Sequence, residues 1–126
     1  MPITIQVPLT ISDEHIGDIL DDAMSSCSYW ACFLGHSRDA GTGYVNSLSL
    51  KVRDENGQPE GEVLFVTKDS IGTAAALLAC DPFEPASDYL AQLTGDVISD
   101  EMYCRMDAGT TDVIIQLGVF GELVYG

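Results

Sequence analysis

A chain of 126 residues in which twenty Asp and Glu face five Lys and Arg has a formal net charge of −15, a balance that repels phosphate and disfavours direct binding to nucleic acid or anionic membranes. Its apolar content of 46% and aromatic content of 8% exclude a disordered chain and suit one folded domain with a real core. No run approaches the roughly 18 consecutive apolar residues of a membrane span, and residues 1–9 hold Pro2 and Pro8 but no Lys or Arg, so no export signal is expected and the chain reads as cytoplasmic.

Ile3, Ile5, Val7 and Leu9 alternate with Thr4, Gln6 and Thr10, the period of a half-buried strand over 3–10. Ser12 is a good helix N-cap, and Asp13 and Glu14 suit the positive end of a helix dipole. Ile16, Ile19, Leu20 and Ala23 then recur at helical spacing, which predicts a helix over 13–26, with Tyr29-Trp30 compatible with one further turn. Residues 35–43, which include Gly35, Gly41 and Gly43, read as a loop. From Val45 to Asp54 two faces alternate, Leu48, Leu50 and Val52 on one and Ser47, Ser49, Lys51 and Arg53 on the other. Asn56-Gly57 marks a turn and Gly61 to Thr67 supplies the return, giving a hairpin over 45–67. Asp69 or Ser70 is expected to cap a helix through Ile71, Ala74, Leu77 and Leu78 that Asp81-Pro82 halts. Ser87 caps a short helix through Tyr89, Leu90 and Leu93 to Gly95. Residues 96–106 fit strand or helix, and the apolar run from Val113 to Phe120 fits helix better than strand. Together these predict an α+β fold: a small antiparallel sheet, built from strand 3–10 and hairpin 45–67, covered on one face by three or four helices.

The stretch Ile19 to Ala31 (ILDDAMSSCSYWA) and the stretch Val113 to Gly126 (VIIQLGVFGELVYG) resemble a set of small proteins without established activity that phages and other mobile elements encode. In that set a Tyr-Trp pair follows the first helix, here Tyr29-Trp30, and a Phe-Gly-Glu-x-Val-Tyr-Gly pattern follows the last, here Phe120 to Gly126. Where those proteins often have Gly-Gly before the pair, this chain has Ser25-Ser26-Cys27. The resemblance implies a mobile-element origin and transfers no functional residue.

Most site chemistries find poor support. With no export signal, Cys27, Cys32, Cys80 and Cys104 read as reduced thiols, mostly small apolar core residues. Cys27, Cys32 and His36 lack a nearby fourth ligand and the tighter C-x2-C knuckle of a structural zinc site. Asp13-Glu14 and Asp21-Asp22 lie on a predicted helix, not in a calcium loop. Cys32 with His36 or His15 is the thiol–imidazole option, but no orienting group is evident. Ser37 stands in no G-x-S-x-G elbow. The loop of Gly35, Gly41 and Gly43 matches neither glycine pattern of a phosphate cradle and leads into a strand, not a helix. Catalytic residues, metal and cofactor are therefore all expected to be absent, and Tyr29, Trp30 and Phe33 are read as core. Residues 38–68 are the least acidic part, with Arg38, Lys51, Arg53 and Lys68 and a net charge of −1. They carry an alternative reading, a protein that binds or sequesters a small anionic ligand such as a nucleotide, held between protomers.

The acids concentrate elsewhere. Glu14, Asp18 and Asp22 stand four apart on the first helix, with Asp21 three after Asp18, and no Lys or Arg shares that helix. Like charges at this spacing cost ~0.2–0.5 kcal/mol per pair, and acids toward the negative end of the dipole cost a further ~0.3–1 kcal/mol each when exposed. A second concentration runs through Asp96, Asp100, Glu101 and Asp107. Both read as partner-binding faces, because carboxylates about 6 Å apart imitate the phosphate rows that basic grooves recognise. The expectation is a non-enzymatic phage or mobile-element protein that blocks a basic, nucleic-acid-binding surface of a host protein, for instance in a defence system such as CRISPR or restriction. The same charge also serves solubility alone. Leu123-Val124-Tyr125 suit either the interior of the fold or a seam between two copies, which leaves a homo-oligomer open.

Overall fold

Ser12 starts the first helix as its side chain predicts, its Oγ accepting the backbone N–H of His15 at 3.1 Å. The computed structural model describes residues 10–80, 86–101 and 103–126, the side chains of residues 80, 86 and 87 excepted. Helix α1 spans Asp13–Ser26, strand β1 Ala31–Arg38, β2 Val45–Arg53 and β3 Pro59–Thr67. Helices α2 (Lys68–Cys80), α3 (Ala86–Ser99) and α4 (Ala108–Phe120) follow. The α+β expectation holds, with the hairpin and the first and last helices where the pattern put them. Residues 3–9 of the predicted strand over 3–10 and the predicted stop at Asp81-Pro82 lie outside the described residues, and Thr10 lies in no strand.

The third described strand is the departure. Tyr29-Trp30 adds no helical turn, and half of the predicted loop over 35–43 is strand β1, antiparallel to β2. Its two-residue period is hidden because the pairing slips between Phe33 and Gly35 and again between Ser37 and Arg38. At the edge of the described sheet it buries only Ala31 fully, so Gly35, His36 and Ser37 face water and read as loop. The true loop is held by Asp39, whose carboxylate accepts the N–H groups of Gly41 and Thr42 and is thereby kept below its ordinary pKa.

The described sheet runs β1-β2-β3, antiparallel throughout. Cross-strand partners Leu48 and Val66, with Leu50, are 0–1% exposed and point toward the helices, whereas Phe65, opposite Ser49, is 67% exposed on the open side. Between Leu50 and Val52 the register with β3 shifts, at Gly61, whose φ of 84° L side chains avoid. Helix α2 starts at Lys68, a little earlier than predicted. Thr67 Oγ1 accepts the N–H of Asp69 while Ser70 Oγ accepts the N–H of Thr67, so Thr67 and not Asp69 forms the cap. Helix α3 runs past Gly95 to Ser99. Helix α4 is capped by Asp107 in a reciprocal box with Thr110 and ends at Gly121, φ 74°. It buries Val113, Ile114, Ile115 and Leu117 and packs against α1, α2, α3 and β3. Among the described residues no helix is long and apolar enough to cross a membrane.

Gly118 marks where α4 comes closest to α2: a Cβ there would lie 2.5 Å from the Ser70 carbonyl oxygen. Helix propensity alone favours Ala by about 1 kcal/mol, but the obstacle is backbone and cannot swing aside. Gly118→Ala is expected to lower stability by about 1–3 kcal/mol, seen as a lower denaturation midpoint at unchanged slope. A higher midpoint would mean that the two helices have room to spare.

Candidate partner-binding acidic surface

Burial of Ile16, Ile19, Leu20 and Ala23 turns one side of α1 to the core and leaves Glu14, Asp18 and Asp21 exposed on the other. Asp22 is half-buried and accepts the Ser26 hydroxyl at 2.6 Å. Partial burial raises the Asp18 carboxyl above its ordinary pKa; Glu14 and Asp21 push the same way and His15 opposes them. The crowding predicted from spacing is thus felt at Asp18.

The second acidic concentration arrives beside the first through His15. This buried side chain of α1 places Nε2 2.6 Å from Asp100 Oδ1, across 85 residues of chain. Asp100, at φ 57°, keeps its side chain 83% exposed even so. Tyr103, in the same α3–α4 connection, has its hydroxyl raised by burial, with smaller contributions from Asp22 and Asp18 on α1. Glu14, Asp18, Asp21, Asp22 and Asp100 therefore share one side of the molecule, with exposed Glu101 next along the chain. Among the described residues no Lys or Arg forms an ion pair with any of them.

Asp96 does not belong there. It is 0% exposed, on the same face of α3 as buried Leu93 and Val97. Its carboxylate accepts the backbone N–H groups of Tyr103, Arg105 and Met106 at 2.9–3.0 Å, with Arg105 Nη1 at 3.5 Å. A buried carboxylate survives only with such partners, so Asp96 organises the connection and presents nothing to a partner protein. Asp107 is likewise engaged, as the α4 cap.

The four cations of the ligand reading are not brought together. Arg38 pairs opposite Val45 and Arg53 closes the other end of the nine-residue β2, roughly 26 Å away at ~3.3 Å per residue. Both guanidiniums are engaged by backbone, Arg38 by the Gly43 carbonyl of its own loop and Arg53 by the carbonyls of Ser28, in the α1–β1 connection, and Gly57. Lys51 lies opposite Cys32 in mid-sheet. Lys68 lines a cleft of about 390 Å³ that also holds Asp13, Asp39 and Asp69, a poor setting for an anion. Cys27 is buried at the α1 end, where burial pushes its thiol pKa up, while His36 is exposed on β1. Among the described residues no three His, Cys, Asp or Glu side chains converge as metal ligands.

Two residues on α4 that the sequence reading passed over tie both resemblance motifs together. The Asp112 carboxylate accepts the Tyr29 hydroxyl and, at 2.8 Å, the Trp30 indole N–H. Tyr29 is thus no core residue but a 53% exposed ring; burial of its hydroxyl and the bond to Asp112 push its pKa up to about 12. Buried Gln116 donates to Asp112 and to the Tyr125 carbonyl, and its Oε1 accepts the N–H groups of Val124 and Tyr125. Tyr125 stacks on Trp30, ring centroids 5.3 Å apart, with Phe120 against both. The spacing of Asp112 and Gln116 by four, flanked by Val113 and Leu117, is the signal that could have found the pair. Set against protein-family models, curated proteins and solved structures, the chain matches none.

Asp96→Asn keeps the shape but turns one acceptor into a donor facing backbone N–H groups, for an expected loss of about 2–3 kcal/mol. Glu101→Gln, a surface change, should stay within about 0.5 kcal/mol. Equal effects on the melting temperature would return Asp96 to the accessible surface. Gln116→Leu is expected to release residues 124–125 from α4, so that emission from Trp30, the one tryptophan of the chain, shifts to the red below the global melting transition. An unshifted spectrum would show that ring packing alone holds Tyr125.

Proposed function

We propose that the chain is a non-enzymatic binding protein whose acidic surface occupies a basic groove of another protein and excludes nucleic acid from it. What supports this reading is the cluster of Glu14, Asp18, Asp21, Asp22, Asp100 and Glu101, drawn together by the His15–Asp100 contact without a described Lys or Arg to neutralise it. Carboxylates one helical turn apart, about 6 Å, present a row of negative charge to the Lys and Arg side chains that contact phosphates. The mechanism is competition: association is steered by charge, and affinity falls as salt rises. With the phage or mobile-element origin that the two motifs imply, the target class is a nucleic-acid-handling host protein, such as a component of CRISPR or restriction defence.

The test separates binding from folding. Neutralising Glu14, Asp18 and Asp21 together (E14Q, D18N, D21N) removes like-charge pairs that cost ~0.2–0.5 kcal/mol each, so the melting temperature is expected to hold or rise. Capture of host proteins at low salt should fall sharply, and what the wild type captures should be displaced by duplex DNA or RNA. If the triple variant captures the same proteins as strongly, or nucleic acid displaces none of them, the acidic surface serves solubility and the reading fails.

A further inference from the structure

A second surface lies where the β2–β3 turn meets the end of α4. There an open groove of about 810 Å³ has Val52 and Leu64 of the sheet on one side and Val119, Phe120 and Tyr125 on the other. Its rim carries Asp54, Glu55, Glu60 and Glu62. Arg53 also lines it, but its guanidinium is engaged, Nε with the Ser28 carbonyl at 2.6 Å and Nη1 with the Gly57 carbonyl at 2.8 Å. Among the described residues none of the four rim acids has a Lys or Arg within ion-pair distance, and Glu55, Glu60 and Glu62 are exposed. Leu64, Phe120 and Tyr125 are only partly buried, so the groove keeps apolar surface in contact with water.

The volume falls within the roughly 300–1,000 Å³ of pockets that hold ligands. The floor rewards an apolar side chain at ~25 cal/mol per Å² removed from water, and the rim rejects an anionic occupant while attracting a cationic one. The exposed edges of Phe120 and Tyr125 add aromatic surface on which Lys and Arg also settle. We propose that this groove docks a peptide segment of a partner protein in which one large aliphatic residue stands between Lys or Arg residues. The site shares with the acidic surface only the expectation of a basic partner; its residues are separate.

Trp30 supplies the readout, because it stacks on Tyr125 and Tyr125 lines the groove. The full chain is titrated with a short peptide of the form Lys-Arg-Leu-Lys-Lys and with two controls, Leu replaced by Ser and all cations replaced by Glu. A saturable change in Trp30 emission is expected for the first peptide, clearly weaker binding for the Ser control and none for the Glu control. The double variant Glu60→Gln, Glu62→Gln should weaken binding about fivefold, the ratio two exposed ion pairs supply together, and by more than E14Q with D18N does. Three outcomes overturn the proposal: no saturable change, equal affinity for the Ser control, or a loss that follows the α1 variant and not the groove variant. The last of these would still favour the acidic surface, and loss of the proposed function with the groove titration intact would leave this site standing. The peptide controls need no variant, so they decide the matter even if a substitution disturbs the fold.

Discussion

The fold is arranged around a helix, α4, that water scarcely reaches between Thr110 and Leu117. Helix α4 buries Thr110, Thr111 and the run from Val113 to Leu117, and each large aliphatic side chain among them contributes about 1.5–3 kcal/mol when removed from water. Such a helix cannot be served from one direction; α1, α2, α3 and β3 all pack on it. The requirement extends to polarity, since a buried side-chain amide left without partners costs ~1–3 kcal/mol, about what one of those neighbours contributes. Gln116 is satisfied by the backbone of Val124 and Tyr125 and by Asp112. Asp112 in turn receives Tyr29 and Trp30. The Tyr29-Trp30 pair and the segment around Tyr125 therefore meet in space for a structural reason: both pack on the central helix from Asp112 onward.

The same constraint places the charge. Helix α1 gives its apolar stripe to α4 and the sheet, which leaves its carboxylates one side to occupy. The α3–α4 connection then sorts two acids four residues apart into opposite roles. Asp96 is turned inward and met by three backbone N–H groups, whereas Asp100 is turned outward and met by His15 from α1. One holds the connection in shape; the other fixes it against α1 and extends the acidic surface. Removing charge from the first leaves three backbone N–H groups short of their acceptor, whereas removing it from the second weakens one contact to α1 and lightens the acidic surface.

What was legible in the sequence follows from how local each cause is. The first helix could be read because Ser12, the apolar spacing and the acids of the first turn agree with one another, and the hairpin because Leu48, Leu50 and Val52 alternate cleanly with polar residues. Strand β1 could not, since pairing slips at two points break its period and most of its residues stand in water. By spacing alone Asp96 belongs with the surface acids, because its burial depends on a connection that folds back over it. Its position on the Leu93–Val97 face was the available clue. The cation cluster at Arg38, Lys51, Arg53 and Lys68 was a count along the chain that register then spread over both ends of the sheet. The groove beside β3 was not legible at all, for its two walls come from segments some sixty residues apart that only packing unites.

The two proposed surfaces divide the work of recognition by range. Charge–charge attraction reaches about 8–10 Å at physiological salt, so a carboxylate-rich face acts on approach and orients a basic partner before contact. It discriminates poorly, because any lysine-rich surface answers to it. An apolar groove has no reach but is demanding on contact, since a side chain of the wrong size or polarity leaves the floor wet. A protein with the first alone would bind basic proteins loosely and lose them as salt rises, and one with the second alone would meet its partner slowly. Under the two proposals together, the face would govern how fast a basic protein arrives and the groove would decide which arrivals stay.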